Sequence, residues 1–149
     1  MTELSLIDAH CHLDFINFDK DRDEVIQRAN LKHINNIIIP GVSTNNGQKI
    51  SDLCAQHKHL HPCYGLHPYW VDQHNDSDIE KLEQFINDNA CVAICECGLD
   101  YRQGQTDKQK QLHLFEAQLD IEVEKELPVV IKPVHATEAV IQQPKKRPT

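Results

Sequence analysis

The sequence predicts an α/β fold of about five successive β/α units, on three observations. Apolar runs alternate along the chain with longer stretches of helical character. Several of those runs, such as Ile37-Ile38-Ile39 and Val129-Val130-Ile131, are continuously apolar, as strands covered on both faces are in a parallel sheet. Two of the intervening stretches open with residues at capping-box spacing.

In chain order, strands are expected at Leu4 to Asp8, Asn36 to Pro40, Leu60 to Tyr64, Val92 to Cys95 and Pro128 to Lys132. Helices are expected at Asp21 to His33, Asn45 to Lys58, Asp78 to Asn87 and Asp107 to Glu126. Ser77 with Glu80, and Thr106 with Gln109, are spaced so that each side chain satisfies a free N–H group of a first helical turn. Leu112, Phe115, Leu119 and Val123 recur at helical spacing, which predicts the face of the last long helix that packs on the sheet. Ala136 to Ile141 begins a further helix that Pro144 interrupts, and Lys145 to Thr149 reads as a charged tail. Such a series suits either an open doubly wound sheet or part of an eight-stranded barrel.

With 149 residues, 40% hydrophobic and 26% charged, the chain reads as one globular domain spanning residues 1–149. It contains no apolar stretch long enough for a membrane span and no export signal at its start, so a cytoplasmic location is expected, without a membrane partner. The six cysteines lack paired CxxC spacing and are expected to be reduced thiols. A formal net charge of -8 argues against a broad basic surface for long nucleic acid, so a phosphate ester substrate would depend on bound cations.

Three segments carry candidate chemistry. In Leu6-Ile7-Asp8-Ala9-His10-Cys11-His12-Leu13-Asp14, side-chain alternation puts His10 and His12 on one side at a strand end, where two imidazoles can bind one metal ion. In Cys95-Glu96-Cys97-Gly98-Leu99-Asp100-Tyr101, Glu96 falls where a strand is expected to end, and a carboxylate there can bridge cations. Cys95 and Cys97 offer a weaker alternative as a soft-metal pair, without a second pair to close the site. In Gly65-Leu66-His67-Pro68, Gly65 permits a tight turn and His67 can reach a substrate phosphate. His57, His59 and His61 read as a solvated helix end and strand start.

The motifs LIDAHCHLD, GLHP and ECGLDY, in that order and at these separations, resemble successive motifs of TatD-type deoxyribonucleases over essentially the whole chain. The resemblance implies a TIM-type (β/α) barrel hydrolase, here a partial one of about five units truncated before closure. It also implies divalent metal ions, whether Mg, Mn or Zn, that activate a water for attack on DNA or a small phosphodiester. By position, His10 and His12 match first-metal ligands, Glu96 a bridging catalytic carboxylate, and His67 a substrate-binding residue.

The resemblance also exposes departures. Lys132 stands where the family has a metal-binding histidine, and an ammonium group has no lone pair for a cation and repels it. Val134 stands where arginine is common, and His135 is expected to point away from Lys132. The family's later histidine and last-strand aspartate match nothing in these residues. Impaired or absent activity is therefore expected. The alternatives are a catalytically inactive remnant or binding module and, ranked lower, an amidohydrolase-type enzyme with Lys132 as a modified ligand. Five strands would leave two open edges, with inward residues of the Ile37 to Ile39 and Val129 to Ile131 runs exposed and self-association expected.

Overall fold

A computed structural model describes residues 4–105 and 107–143. The chain runs β1 (Leu6–Asp8), α1 (Arg22–Leu31), β2 (Ile34–Pro40), α2 (Gly47–Gln56), β3 (Leu60–Cys63) and α3 (Ser77–Asp88). It continues through β4 (Ile94–Asp100), α4 (Lys108–Lys125), β5 (Val129–Val134) and α5 (Thr137–Gln142). Short 3-10 turns at Ile16–Phe18, Thr44–Asn46 and Pro68–Gln73 lie in the loops that leave β1, β2 and β3.

Every strand pair is parallel, in the order β1-β2-β3 and β4-β5. A bridge between Tyr64 and Ile94 joins the two groups, and the Cys95 N–H donates to the Tyr64 carbonyl at 2.9 Å. Each strand therefore lies beside its sequence neighbour. That order, without the reversal that marks a doubly wound sheet, is the order of a β/α barrel.

All seven residues of β4 are buried, Glu96 and Asp100 among them, so the strand is covered on both faces. Among the described strands β1 and β5 are the edges, and Leu6, Ile7 and Val130 on them are exposed. The expected exposure of the Ile37 to Ile39 run is corrected: Ile37 and Ile39 share one face of β2 and are buried in a core with Ile26 of α1 and Ile50 and Leu53 of α2, while Ile38 on the opposite face is half-buried.

The buried residues of α4 are Gln111, Leu114, Phe115, Gln118, Leu119 and Ile121, so the expected face holds at Phe115 and Leu119, with Leu112 half-buried against the core, and is corrected at Val123, which is exposed. Two glutamines, Gln111 and Gln118, join that buried face because each holds loop backbone. The start of α3 is shifted as well. Asn75 Oδ1 accepts from the Ser77 N–H at 3.1 Å and Asp78 Oδ2 from the Asn75 N–H at 3.0 Å, so no Ser77–Glu80 box forms. Thr106 and the segment from Pro144 onward lie outside the described residues; Asp107 caps α4, its Oδ1 accepting from the Lys110 N–H at 2.9 Å.

Parallel pairing places Cys63 and Cys95 side by side with Cα atoms 5.6 Å apart, and they are joined as a disulfide. The expectation of six reduced thiols is corrected at that pair, while Cys11, Cys54, Cys91 and Cys97 are free. Burial pushes the Cys97 thiol up to about 12, which opposes the thiolate form that a metal ligand needs. With Cys95 bonded to Cys63, the soft-metal pair is excluded.

Candidate metal centre

Just past β1, the Asp8 carboxylate accepts the His10 N–H at 3.0 Å, and the Cys11 N–H donates to the Ile38 carbonyl at 3.0 Å. The first bond turns the loop and the second ties it to β2, and His10 and His12 reach one site. Buried Asp14 accepts from Asn46 Nδ2 at 2.9 Å, tying this loop to the one after β2. There Ser43 and Asn46 form a capping box that the sequence reading missed.

Glu96 is the third residue of β4 and not at its end, which corrects its expected position. The strand outlasts the apolar run because its later half pairs with β5, Cys97 with Ile131 through Asp100 with Val134. Its register shifts between Ile94 and Cys97, where the Glu96 N–H donates instead to the Gly41 carbonyl at 3.0 Å. The backbone thus turns toward β2, and the Glu96 side chain is only 1% exposed.

Around that carboxylate, His10 Nε2 lies 3.2 Å from Oε1 and His12 Nε2 lies 3.1 Å from Oε2. One potential ligand atom from each of the three residues falls within 4.8 Å of the others. Two donors bonded to one ion at roughly 2.1 Å stand roughly 3.0–3.4 Å apart in octahedral or tetrahedral arrangements, so the imidazole–carboxylate spacings fit one divalent ion. Glu96 Oε1 makes no hydrogen bond of regular geometry despite its crowded surroundings, and His12 Nδ1 is buried without a partner.

His67 Nε2 approaches Glu96 Oε1 to 3.9 Å from the loop after β3. Its Nδ1 accepts the Tyr69 N–H at 3.0 Å, which assigns the proton of the neutral ring to Nε2, the nitrogen on the Glu96 side. Two features hold this loop. A Cβ on Gly65 would stand 2.6 Å from the Cys95 carbonyl oxygen, so glycine serves close backbone approach here. Gln118 accepts the Leu66 N–H at 2.7 Å and donates to the Leu66 carbonyl at 3.3 Å. Gln111 clamps Asp100 in the same way, at 2.7 and 2.9 Å. The legible signal for both was a polar residue recurring after two turns on an otherwise apolar helix face.

Lys132, in the middle of β5, brings Nζ to 2.6 Å from Glu96 Oε1 while its side chain stays 40% exposed. Val134 pairs with Asp100, and its carbonyl accepts the Tyr101 N–H at 2.8 Å. His135 is exposed at a positive φ of 51° and is not among the grouped donors. Of the other histidines, His61 Nε2 lies 2.7 Å from Asn36 Oδ1 and His57 Nε2 lies 3.5 Å from Asp23, apart from the site.

Burial alone would raise the Glu96 carboxyl, but His12 and Lys132 contacts, with the charges of His67 and His10, outweigh it and draw the pKa down to about 2. Burial lowers His10 and His67, opposed by Glu96 and reinforced by Lys132. Burial thus favours the neutral form of His10, the form that binds metal, and of His67, and Lys132 stands opposite Glu96. The donors fit one divalent ion; Lys132 is the wrong group for a second.

The TatD-related DNase family model matches residues 7–147. The chain is 32% identical over 127 residues to an uncharacterized metal-dependent hydrolase, YjjV, of Escherichia coli, covering 84% of this chain and 49% of that protein. It is 34% identical over 131 residues to a 3'-5' ssDNA/RNA exonuclease TatD of Pectobacterium atrosepticum, covering 85% and 49% respectively. The crystal structure of YjjV, a TatD homologue from Escherichia coli, superposes with a TM-score of 0.90 at 29% identity over 95% of this chain and 55% of that one. The chain spans about half the length of these relatives. With the family's match extending from β1 beyond β5 and the YjjV fold reproduced across the described strands, the chain belongs to the TatD-related DNase family.

Proposed function

We propose that this chain is a metal-dependent phosphodiester hydrolase of nucleic acid, with weak turnover. One observation carries the reading: two imidazoles just past β1 stand 3.1–3.2 Å from a single buried carboxylate of β4. His10, His12 and Glu96 would hold one divalent cation, Mg, Mn or Zn. Such a cation, when bound, supplies Lewis acidity and lowers the pKa of a coordinated water. Glu96 is ionised throughout the neutral range and can accept a proton or a ligand bond. His67 Nε2–H can donate to a phosphate oxygen and so orient the ester. Relatives named as ssDNA/RNA exonucleases support DNA or RNA as the substrate class.

Weak turnover follows from Lys132, whose ammonium competes with a cation for Glu96 Oε1. The same ion pair favours a second reading, an inactive module that keeps the fold and binds its ligand without cleavage. Residues 1–149 form one domain in this proposal, working in the cytoplasm; among the described residues no helix is long and apolar enough to cross a membrane.

Hydrolysis of a short single-stranded DNA, assayed with each metal and with chelator, tests the reading. Slow metal-dependent cleavage that falls by about 1,000-fold or more in Glu96→Gln is expected. Cleavage unaffected by chelator or by that substitution would end the hydrolase reading, and binding without cleavage would select the inactive module.

A further inference from the structure

Aromatic side chains are scarce in this chain, which has three tyrosines, one tryptophan and four phenylalanines. Among the described residues, Phe15, Tyr69 and Trp70 are the exposed members of that set. Phe15 adjoins the candidate metal centre through its ring, and Tyr69 and Trp70 through their backbone N–H groups. Phe15 stacks on His12 with ring centroids 4.5 Å apart and planes inclined by 22°. The Tyr69 N–H donates to His67 Nδ1, and the Trp70 N–H donates to the His67 carbonyl at 3.1 Å. The other aromatic residues among those described are half-buried or buried.

The Tyr69–Trp70 pair is also braced. Their rings meet edge to face at 4.6 Å, and the Arg102 guanidinium lies 5.2 Å from the Tyr69 ring centroid. Arg102 is itself held by fully buried Asp100, Nε to Oδ1 at 2.8 Å and Nη2 to Oδ2 at 2.6 Å. Tyr69 and Trp70 nevertheless remain 43% and 38% exposed. Rings fixed in place with open surface lose little entropy on accepting a flat ligand.

We propose that Tyr69 and Trp70, braced by Arg102, form a stacking platform for an unpaired nucleobase beside the phosphodiester at Glu96. The proposal rests on the reading of the centre as a nucleic-acid site and adds how the strand is recognised. A base already paired and stacked within a duplex presents no free face, so the platform selects single-stranded substrate. Stacking is tolerant of sequence because every base has a π face. A cation beside the rings suits the adjoining phosphates in a protein whose overall charge is negative. Two aromatic rings flanked by Asp72, Gln73 and Arg102 are far smaller than the roughly 800 Å² per partner that a stable protein interface covers.

Trp70 is the sole tryptophan, so its emission reports directly on this surface. The probes are a phosphorothioate-linked thymidine hexamer, chosen to resist cleavage, and an abasic hexamer of the same linkage and charge. Quenching of Trp70 by the thymidine hexamer is expected, with affinity at least about 5-fold above that for the abasic strand. Tyr69→Ala and Trp70→Ala should abolish that preference, read by anisotropy of labelled strands, while Tyr69→Phe retains it; circular dichroism checks that each variant folds. In Glu96→Gln the base preference should persist without cleavage of ordinary DNA, which separates failure of this proposal from failure of the hydrolase reading. Equal affinity for the two strands, equal quenching by both, or no binding of either would overturn the platform.

Discussion

Lys132 Nζ lies 2.6 Å from Oε1 of Glu96, on the carboxylate oxygen that also faces His10 and His67. A fixed positive charge thus stands on the metal-facing carboxylate, in direct competition with any ion. Replacing it with a neutral imidazole removes the repulsion and supplies a lone pair. Lys132→His is therefore expected to raise divalent-metal affinity roughly 10- to 100-fold, the range for groups that touch metal ligands. Calorimetric titration giving equal affinities for the two proteins would contradict this account.

Gln118 is buried in α4 and satisfies both backbone groups of Leu66, the residue before His67. Leucine at that position has similar bulk but strands a buried N–H and a carbonyl. Gln118→Leu is expected to lower unfolding free energy by about 1–3 kcal/mol for each stranded group and to weaken substrate binding through His67. Denaturant unfolding together with strand affinity checks it; loss of neither would mean that the loop is held by other contacts.

Acid should destabilise the chain in two stages. The folded-state pKa values of His10 and His67 lie below the ordinary 6.5, and that of Glu96 is drawn from 4.5 down to about 2. Each depressed group gives stability that is complete above its unfolded pKa and is lost as pH falls toward the folded one. The histidine contribution should decline below about 6.5 and the Glu96 contribution between 4.5 and about 2. Chemical-denaturation midpoints measured from neutral pH to about pH 2 should fall through both windows, and a flat profile would refute it.

The exposed apolar residues on the edge strands predict association. Leu6 and Ile7 on β1 and Val130 on β5 are open to solvent beside strand edges that are unpaired among the described residues. Sedimentation should reveal concentration-dependent oligomers that Ile7→Lys diminishes, since a lysine on an edge strand resists edge-to-edge pairing. A wild-type monomer across micromolar concentrations would sink this expectation.

By itself the sequence determined the alternation of strands and helices, because continuous apolar runs such as Ile37 to Ile39 and helix-spaced residues differ in period. It also determined which motif residues were candidates for a common site, since HxH spacing and short apolar strands limit where side chains can point. Tertiary structure decided what one-dimensional spacing cannot carry. Pairing with β5 extended β4 and moved Glu96 into its interior, and parallel contact of β3 with β4 joined Cys63 to Cys95. Backbone groups of Leu66 and Asp100, left unpaired where β3 and β4 give way to loops, recruited Gln118 and Gln111 to a face that helical periodicity assigns to apolar residues. Lys132 was legible as a departure in kind, but its ion pair with Glu96 arose only when neighbouring parallel strands brought residues distant in the chain to 2.6 Å.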